Sequence, residues 1–527
     1  MKLGTSKTDG LTRRRGAIWT AAAGCVVVLL AYAVRQSDPD LWGHVYYGKL
    51  WLTVGIVETD PYSYTSGGIP WIGHEIGAEI VSQLAYSWGG QAGLCLLKTA
   101  VGLLVGLILW WTLPRNLRRS WLGLSVWVLA MHMVSLYLLV RPQLFTYVCT
   151  AMCGTILYRN LQRPTPAVWL LPLIGAFWTN FHGGYVVLLG LVGLYFAGPL
   201  GHWLAARLRG EGSERFPRPG WTLLGVLVAS GLSTFLNPYG PRAWVFLHKA
   251  LTNPYTKQII DEWRGIQWLN PVRQEMLYMM MALGVIVAAG AGISFRSLLR
   301  GDPRRRADAT GLLVCLVTGF LAIDSYRHIP LFAILSAPWL LRWGGRAWRR
   351  MAGVNPARAK MFAPVIILAV IVPVVPTLWE IVRDPRPRLA HLKPMPVGAV
   401  RYIQEHHLSG NIYCAFGWGQ YLIAHLYPQC RVGMDGRYDT AYPEEEFVAN
   451  FAFIIEGNTD RAVETPTDFV LTAGHSPAHT SMSRCGDWYA MHEDEVATLW
   501  ARVGETYDKP RYRIKPTHEP VSARYFP

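Results

Sequence analysis

A series of about eleven apolar runs, most near the ~20 residues that cross a bilayer core, restricts this chain to a polytopic α-helical membrane protein. The runs are Gly16–Val34, Gln91–Leu113, Trp121–Val140, Leu144–Tyr158, Ala167–Asn180, Gly183–Leu208, Trp221–Leu236, Met276–Ile293, Gly311–Ile323, Ile329–Leu341 and Met361–Trp379. With 51% hydrophobic and only 16% charged residues, the chain cannot be one water-soluble domain. No small-residue cleavage site follows the first run, which therefore reads as an anchor and not a removed leader.

Arginine placement sets the orientation. With the N-terminus inside, the inner loops receive Arg13–Arg15, then Arg115, Arg118 and Arg119, then Arg159 and Arg163. They next receive Arg207, Arg209, Arg215 and Arg218, then Arg296, Arg300 and Arg304–Arg306, then Arg342, Arg346, Arg349, Arg350, Arg358 and Lys360. Short cytoplasmic loops hold the Lys and Arg excess. The net charge of +16 thus reflects orientation and contact with anionic membrane lipids, not nucleic acid. The expected home is a bacterial inner (plasma) membrane, crossed many times, with the N-terminus cytoplasmic.

This topology gives a membrane domain over 1–380 with a large external loop over 35–90, and an extracytoplasmic domain over 381–527. The latter opens on a Pro-rich linker and then alternates. The pattern predicts helix Val397–His407, strand Asn411–Phe416, helix Gln420–Tyr427, strand Arg431–Asp435 and helix Glu444–Ile455. Strands are predicted near Asp468–Thr472 and Trp488–His492, making a small α/β domain. Cys414, Cys430 and Cys485 lie there, where a disulfide is permitted.

The polar residues at the apolar boundaries fall mostly on the external side: Asp38, Asp40, His44, Arg141, Asn180, His182, Asn237, Asp324, Arg327 and His328. Singly, each reads as a helix cap or a snorkelling side chain. Together they read as a cavity opening outward, because ionisable groups at that depth are costly. Asp40 and His44 are four apart and share a helix face. Gly55 breaks that helix, and Thr59-Asp60-Pro61-Tyr62-Ser63-Tyr64 reads as a turn. Trp71–Glu79 predicts the start of an amphipathic helix lying on the membrane, with Glu75 and Glu79 on one face. His74-Glu75 is not a zinc-protease motif, since Ala78 stands where the second His is required.

The order Asp40-x-x-x-His44, Gly55, Asp60-Pro61 resembles the first external loop of GT-C class glycosyltransferases, above all the oligosaccharyltransferase catalytic subunits and more distantly the protein mannosyltransferases. The implied fold is GT-C-like, about eleven spans with a C-terminal extracytoplasmic α/β domain. The implied partners are a polyprenyl-phosphate-linked sugar donor and a lipid, polysaccharide or protein acceptor. The resemblance makes Asp40 the base, Asp38 the runner-up and His44 their neighbour in the catalytic set. Arg327, His328, Arg141, His182, Asp60, Glu75, Trp418 and Tyr421 are the candidate substrate contacts. Arg327 and Arg141 suit the phosphate, although Asp324 is an alternative partner for Arg327 and Arg141 also reads as an anchor. Phe416-Gly417-Trp418-Gly419-Gln420-Tyr421-Leu422, followed by Met434-Asp435-Gly436-Arg437, is similar to the family's Trp-Trp-Asp-Tyr-Gly region. It lacks the Asp and the paired Trp, which argues against an Asn-X-Ser/Thr acceptor.

Some family members hold a divalent cation through the first-loop Asp and an acidic motif between helices 3 and 4. Here that place reads Arg141-Pro142-Gln143, and Asp261-Glu262 is the other candidate source of a carboxylate. The expectation is no metal and no other cofactor, with a divalent cation the open alternative. Two further functions remain: a lipid or glycan transporter (flippase), against which the absence of a sequence repeat counts, and a non-catalytic assembly protein.

Overall fold

The structure, a computed structural model, describes residues 22, 24, 36–208, 218–253, 261–265, 305–354, 375–384, 389–391 and 394–504. The expected run Met276–Ile293 and most of Gly16–Val34 and Met361–Trp379 lie outside these residues.

A short strand β1 (Gln36–Ser37) leads into helix α1 (Leu41–Thr53), which Gly55, at φ +90°, ends as expected. Helix α2 (Ile76–Thr112) follows, with a break at Gly89–Gly90 where Gly90 takes φ +55°. The apolar run expected from Gln91 is thus the second half of a longer helix. Next come α3 (Trp121–Ser135), α4 (Gln143–Gln162), α5 (Leu171–Trp178), α6 (Val186–Leu208), α7 (Arg218–Ser233) and α8 (Arg242–Thr252). Then follow α9 (Arg305–Asp324), α10 (Ile329–Val354) and α11 (Val375–Arg383).

Among the described residues, Ile76–Thr112, Gly183–Gly201 and Ala307–Asp324 are long and apolar enough to cross a membrane, and three shorter apolar helices accompany them. Their side chains sort by face. On α2, Leu94, Val101, Val105 and Leu109 are buried, whereas Leu96, Leu104, Leu107 and Trp111 are exposed. An apolar face left outward in this way suits lipid, not water. One part of the sequence reading is corrected here. The segment from Trp71 to Glu75 is loop, and the helix that follows does not present its acids to water: Glu79 is buried.

The C-terminal domain begins with β2 (Ala390–His391) and α12 (Val397–Glu405). It continues through β3 (Gly410–Cys414), α13 (Phe416–Leu426), β4 (Cys430–Val432), α14 (Glu444–Ile455), α15 (Asp460–Glu464), β5 (Phe469–Ala473), α16 (Pro477–Met482), β6 (Trp488–Glu493) and β7 (Ala497–Arg502). The sheet order is β4-β3-β5-β7-β6; β3 runs parallel to β4 and β5, and β7 antiparallel to β5 and β6. The expected α/β alternation is present, with β7 an additional strand. Cys414, Cys430 and Cys485 are free.

This domain and the first loop form one packed unit. β1 pairs with β2, and the exposed edge of β4 is covered by the loop: Tyr64 N–H donates to Val432 O, and Val432 N–H to Tyr62 O (3.2 and 3.0 Å). Trp42 of α1 meets Tyr421 and His425 of α13 edge-on. At the centre, Arg437 donates to Asp435 (2.6–3.1 Å) and to Asp60 (2.9 Å), and its guanidinium lies 4.7 Å from the Trp71 ring centre. Tyr442 completes the set by donating its hydroxyl to Asp435 (2.6 Å).

Removing Arg437 leaves two buried carboxylates without a counter-charge, a change that costs about 3–5 kcal/mol. Arg437→Ala is expected to lower the thermal midpoint in detergent. Arg437→Lys recovers only part of this, since an ammonium cannot reproduce the fork. An unchanged midpoint in Arg437→Ala would contradict this role.

Candidate active site

Asp38 follows β1 directly, and the chain turns there into α1. Its Oδ1 accepts the Asp40 N–H at 2.9 Å, and its Oδ2 accepts from Arg141 Nη1 at 3.1 Å. Arg141 sits in the turn between α3 and α4, and the same Nη1 donates to both oxygens of Glu262 (2.7 and 2.9 Å). A single-turn helix over Asp261–Trp263 carries Glu262, and it is tied to the α9–α10 turn: Ser325 Oγ donates to Glu262 O (2.9 Å). That tie brings Arg327 alongside, its guanidinium 4.1 Å from the Trp263 ring centre and within electrostatic reach of Glu262, Arg141 and Glu75. Four remote segments thus deliver an alternating set: Asp38, Arg141, Glu262, Arg327.

Among the described residues no arginine or lysine pairs with Asp40 in this way. It is the residue before α1, half-buried, and its carboxylate lies against Gly436, where any Cβ would overlap it. A larger residue there would push the Asp40 carboxylate out of its present position. Burial, then the negative charges of Asp38, Asp435 and Glu75, push its carboxyl up to about 8, with His44 opposing. A carboxylate that exchanges its proton near neutrality is matched to the task of a general base.

One turn along α1, His44 Nδ1 lies 3.3 Å from Glu79 Oε1 and 3.9 Å from Glu75 Oε2. Burial disfavours its charge, but the hydrogen bond to Glu79 and the charges of Glu75, Glu79 and Asp40 outweigh that and raise it to about 9. Glu75 stands among three imidazoles: His74 Nε2 at 3.4 Å, His182 Nε2 at 3.8 Å, and His44. Burial works against its charge, but His74, His44 and His182 together hold it down at about 2. His182 accepts the Gly184 N–H on Nδ1 (2.9 Å), so its neutral tautomer carries the proton on Nε2, toward Glu75.

Of the sequence-derived candidates, the structure gathers Asp38, Asp40, His44, Glu75, Arg141, His182 and Arg327. His328 instead turns its Nδ1 to Leu321 O (3.2 Å). Asp60 is engaged by Arg437 and by the N–H groups of its own turn. Trp418 donates to Pro394 O, and Tyr421 packs against Trp42; both are buried in the docking face. The sequence reading includes Gly436 and Arg437 within the family-like segment but gives them no role of their own, and it does not single out Tyr438. Tyr438 holds φ +41°, and burial first, then Asp40, Asp38 and Glu262, raise its hydroxyl well above the ordinary value. An Asp-Gly-Arg turn beside a buried strand was the available signal.

A cation shared by Asp38 and Glu262 does not fit the residues found there, because Arg141 already pairs with both carboxylates. A cation bound there would have to expel a guanidinium.

No family model matches the chain, and no curated protein matches it. Solved structures do. The oligosaccharyltransferase AglB from Archaeoglobus fulgidus, in complex with an inhibitory peptide and a dolichol-phosphate, matches at 12% identity and TM-score 0.54, over 86% of this chain and 69% of that one. The apo form of the Archaeoglobus fulgidus oligosaccharyltransferase matches at 11% identity and TM-score 0.51, over 86% and 69%. ArnT from Cupriavidus metallidurans, bound to undecaprenyl phosphate, is similar at 13% identity over 95% and 99%, with a TM-score of 0.49 that adds nothing further. At these identities the likeness establishes the fold: the chain has the GT-C membrane fold that its first loop resembled.

The raised Asp40 has a consequence for stability. Between its ordinary value and about 8, the native state keeps a proton that the unfolded chain has released. Stability contributed by this group is therefore present at low pH and lost as pH rises through that window. Melting wild type and Asp40→Asn in parallel from pH 5 to 9 should show the wild type falling relative to the variant up to about pH 8. Parallel curves would mean that Asp40 is ionised throughout.

Proposed function

We propose that this protein is an integral membrane glycosyltransferase that takes a sugar from a polyprenyl-phosphate-linked donor and passes it to an acceptor on the extracytoplasmic face. The observation that carries this reading is the meeting of Asp38, Asp40, Arg141 and Arg327 in one cluster. A carboxylate of neutral proton affinity beside fixed guanidinium groups is what transfer from a glycosyl phosphate requires. The GT-C fold, and the dolichol-phosphate bound to the archaeal oligosaccharyltransferase, support it.

In this mechanism Asp40 accepts the proton of the acceptor nucleophile as that nucleophile attacks the anomeric carbon. The bond from that carbon to the phosphate oxygen breaks, and the charge that develops on the phosphate falls to Arg327 and Arg141. Stacking on Trp263 keeps the Arg327 donors in the plane of its guanidinium, the geometry that suits a phosphate. Asp38 orients Arg141 and the Asp40 backbone. A single base and a single displacement imply inversion at the anomeric carbon. The partial Trp418 motif points to a lipid, polysaccharide or protein acceptor outside the Asn-X-Ser/Thr class. The arginine-rich inner loops support a site on the outer face of a bacterial inner membrane.

The test is an assay with radiolabelled polyprenyl-phosphate sugar in liposomes. Asp40→Asn should fold and still hold the donor, yet lose transfer by ~10²-fold or more. Full transfer by the variant would eliminate Asp40 as base. Movement of donor between leaflets without any new glycosidic bond would indicate a flippase instead.

A further inference from the structure

We propose that His44, Glu75 and Glu79 form a site for a first-row divalent cation of the zinc type, separate from the Asp38–Asp40 pair. One ligand atom from each lies within 4.8 Å of the others, and zinc, with bonds of ~2.0–2.2 Å, draws its donors to roughly 3.5 Å from one another. His44 comes from α1, while Glu75 and Glu79 stand four apart at the start of α2, the helix packed along it. One imidazole and two carboxylates suit a zinc-type ion better than calcium or magnesium, which favour all-oxygen sets.

The surroundings supply an independent reason. Each carboxylate has one oxygen held by outer donors and the other turned to His44. Glu79 Oε2 accepts the Trp51 indole N–H at 2.5 Å, leaving Oε1 toward His44. Glu75 Oε1 faces His74 and His182, leaving Oε2 toward His44. The His182 tautomer, set by the Gly184 N–H, makes its Nε2 a donor to Glu75 and not a ligand. Outer donors that orient the ligating oxygens are the usual support of a metal site. The three side chains keep 12%, 18% and 6% exposure, enough for an ion to enter. An ion here replaces the Nδ1 proton of His44 and pins α1 to α2 one turn from Asp40.

The test uses full-length protein in detergent, purified without a metal-affinity step, stripped with chelator and equilibrated with Zn²⁺ alone. Elemental analysis should find one Zn²⁺ per chain, and X-ray absorption should show nitrogen and oxygen neighbours at about 2.0 Å with no sulfur. Glu79→Gln and His44→Gln, each confirmed folded by circular dichroism, should lower occupancy at least tenfold. His492→Gln, which alters a His–Asp pair in the C-terminal domain, should keep it. Absence of stoichiometric zinc in the wild type, equal zinc in all variants, or a sulfur-containing shell would each overturn the site. Transfer by Asp40 is read separately, by the sugar assay, so failure of the zinc site and failure of the transfer reading are distinguishable.

Discussion

The Arg437 guanidinium, closed between Asp435 and Asp60, is the interaction on which the remainder of the molecule depends. It joins residues 377 positions apart. Charges taken out of water in this way are costly unless every partner is satisfied, and here both carboxylates and Tyr442 answer the same fork. Aromatic rings of the first loop, Trp71, Tyr62 and Tyr47, enclose the cation. Because Gly436 immediately precedes Arg437, the clamp also fixes the backbone that lies on Asp40. The C-terminal domain is therefore one wall of the site, and the reactive carboxylate takes its surroundings from both ends of the chain.

Within the site, charge is distributed unevenly. Asp38, Arg141, Glu262 and Arg327 alternate in sign and neutralise one another, while Asp40 stands beside them with His44, and among the described residues no arginine or lysine pairs with it. Burial first, and then the acidic neighbours Asp38, Asp435 and Glu75 against the opposing His44, make it hold a proton so readily. The contrast with Glu75, surrounded by imidazoles and strongly acidic, shows how position alone separates two carboxyl groups of similar intrinsic chemistry.

Much of this could be read from the sequence, because hydrophobic runs and turn residues are local signals. The helix Glu444–Ile455 and the apolar stretch after Gly90 were expected where they occur. Arg141, His182 and Arg327 were selected because the topology placed three distant turns on one side, and the structure brings them together. What escaped depends on which way a side chain faces once distant segments meet. Glu79 was expected on one face with Glu75 of a helix lying on the membrane, but Trp51 and His44 hold it inside. Asp60 carried a motif and proved to be half of a clamp, since its partner lies far along the chain. Trp418 and Tyr421 matched a family pattern, yet they fill the face where α13 meets α1.

The most direct measurement is a structure of the protein with a bound polyprenyl phosphate in lipid nanodiscs. The phosphate should lie against Arg327 and Arg141, with the point of sugar attachment facing Asp40. A phosphate bound elsewhere, more than about 15 Å from Asp40 and so too far for a single bound phosphosugar to bridge, would contradict the assignment of this cluster as the site of transfer.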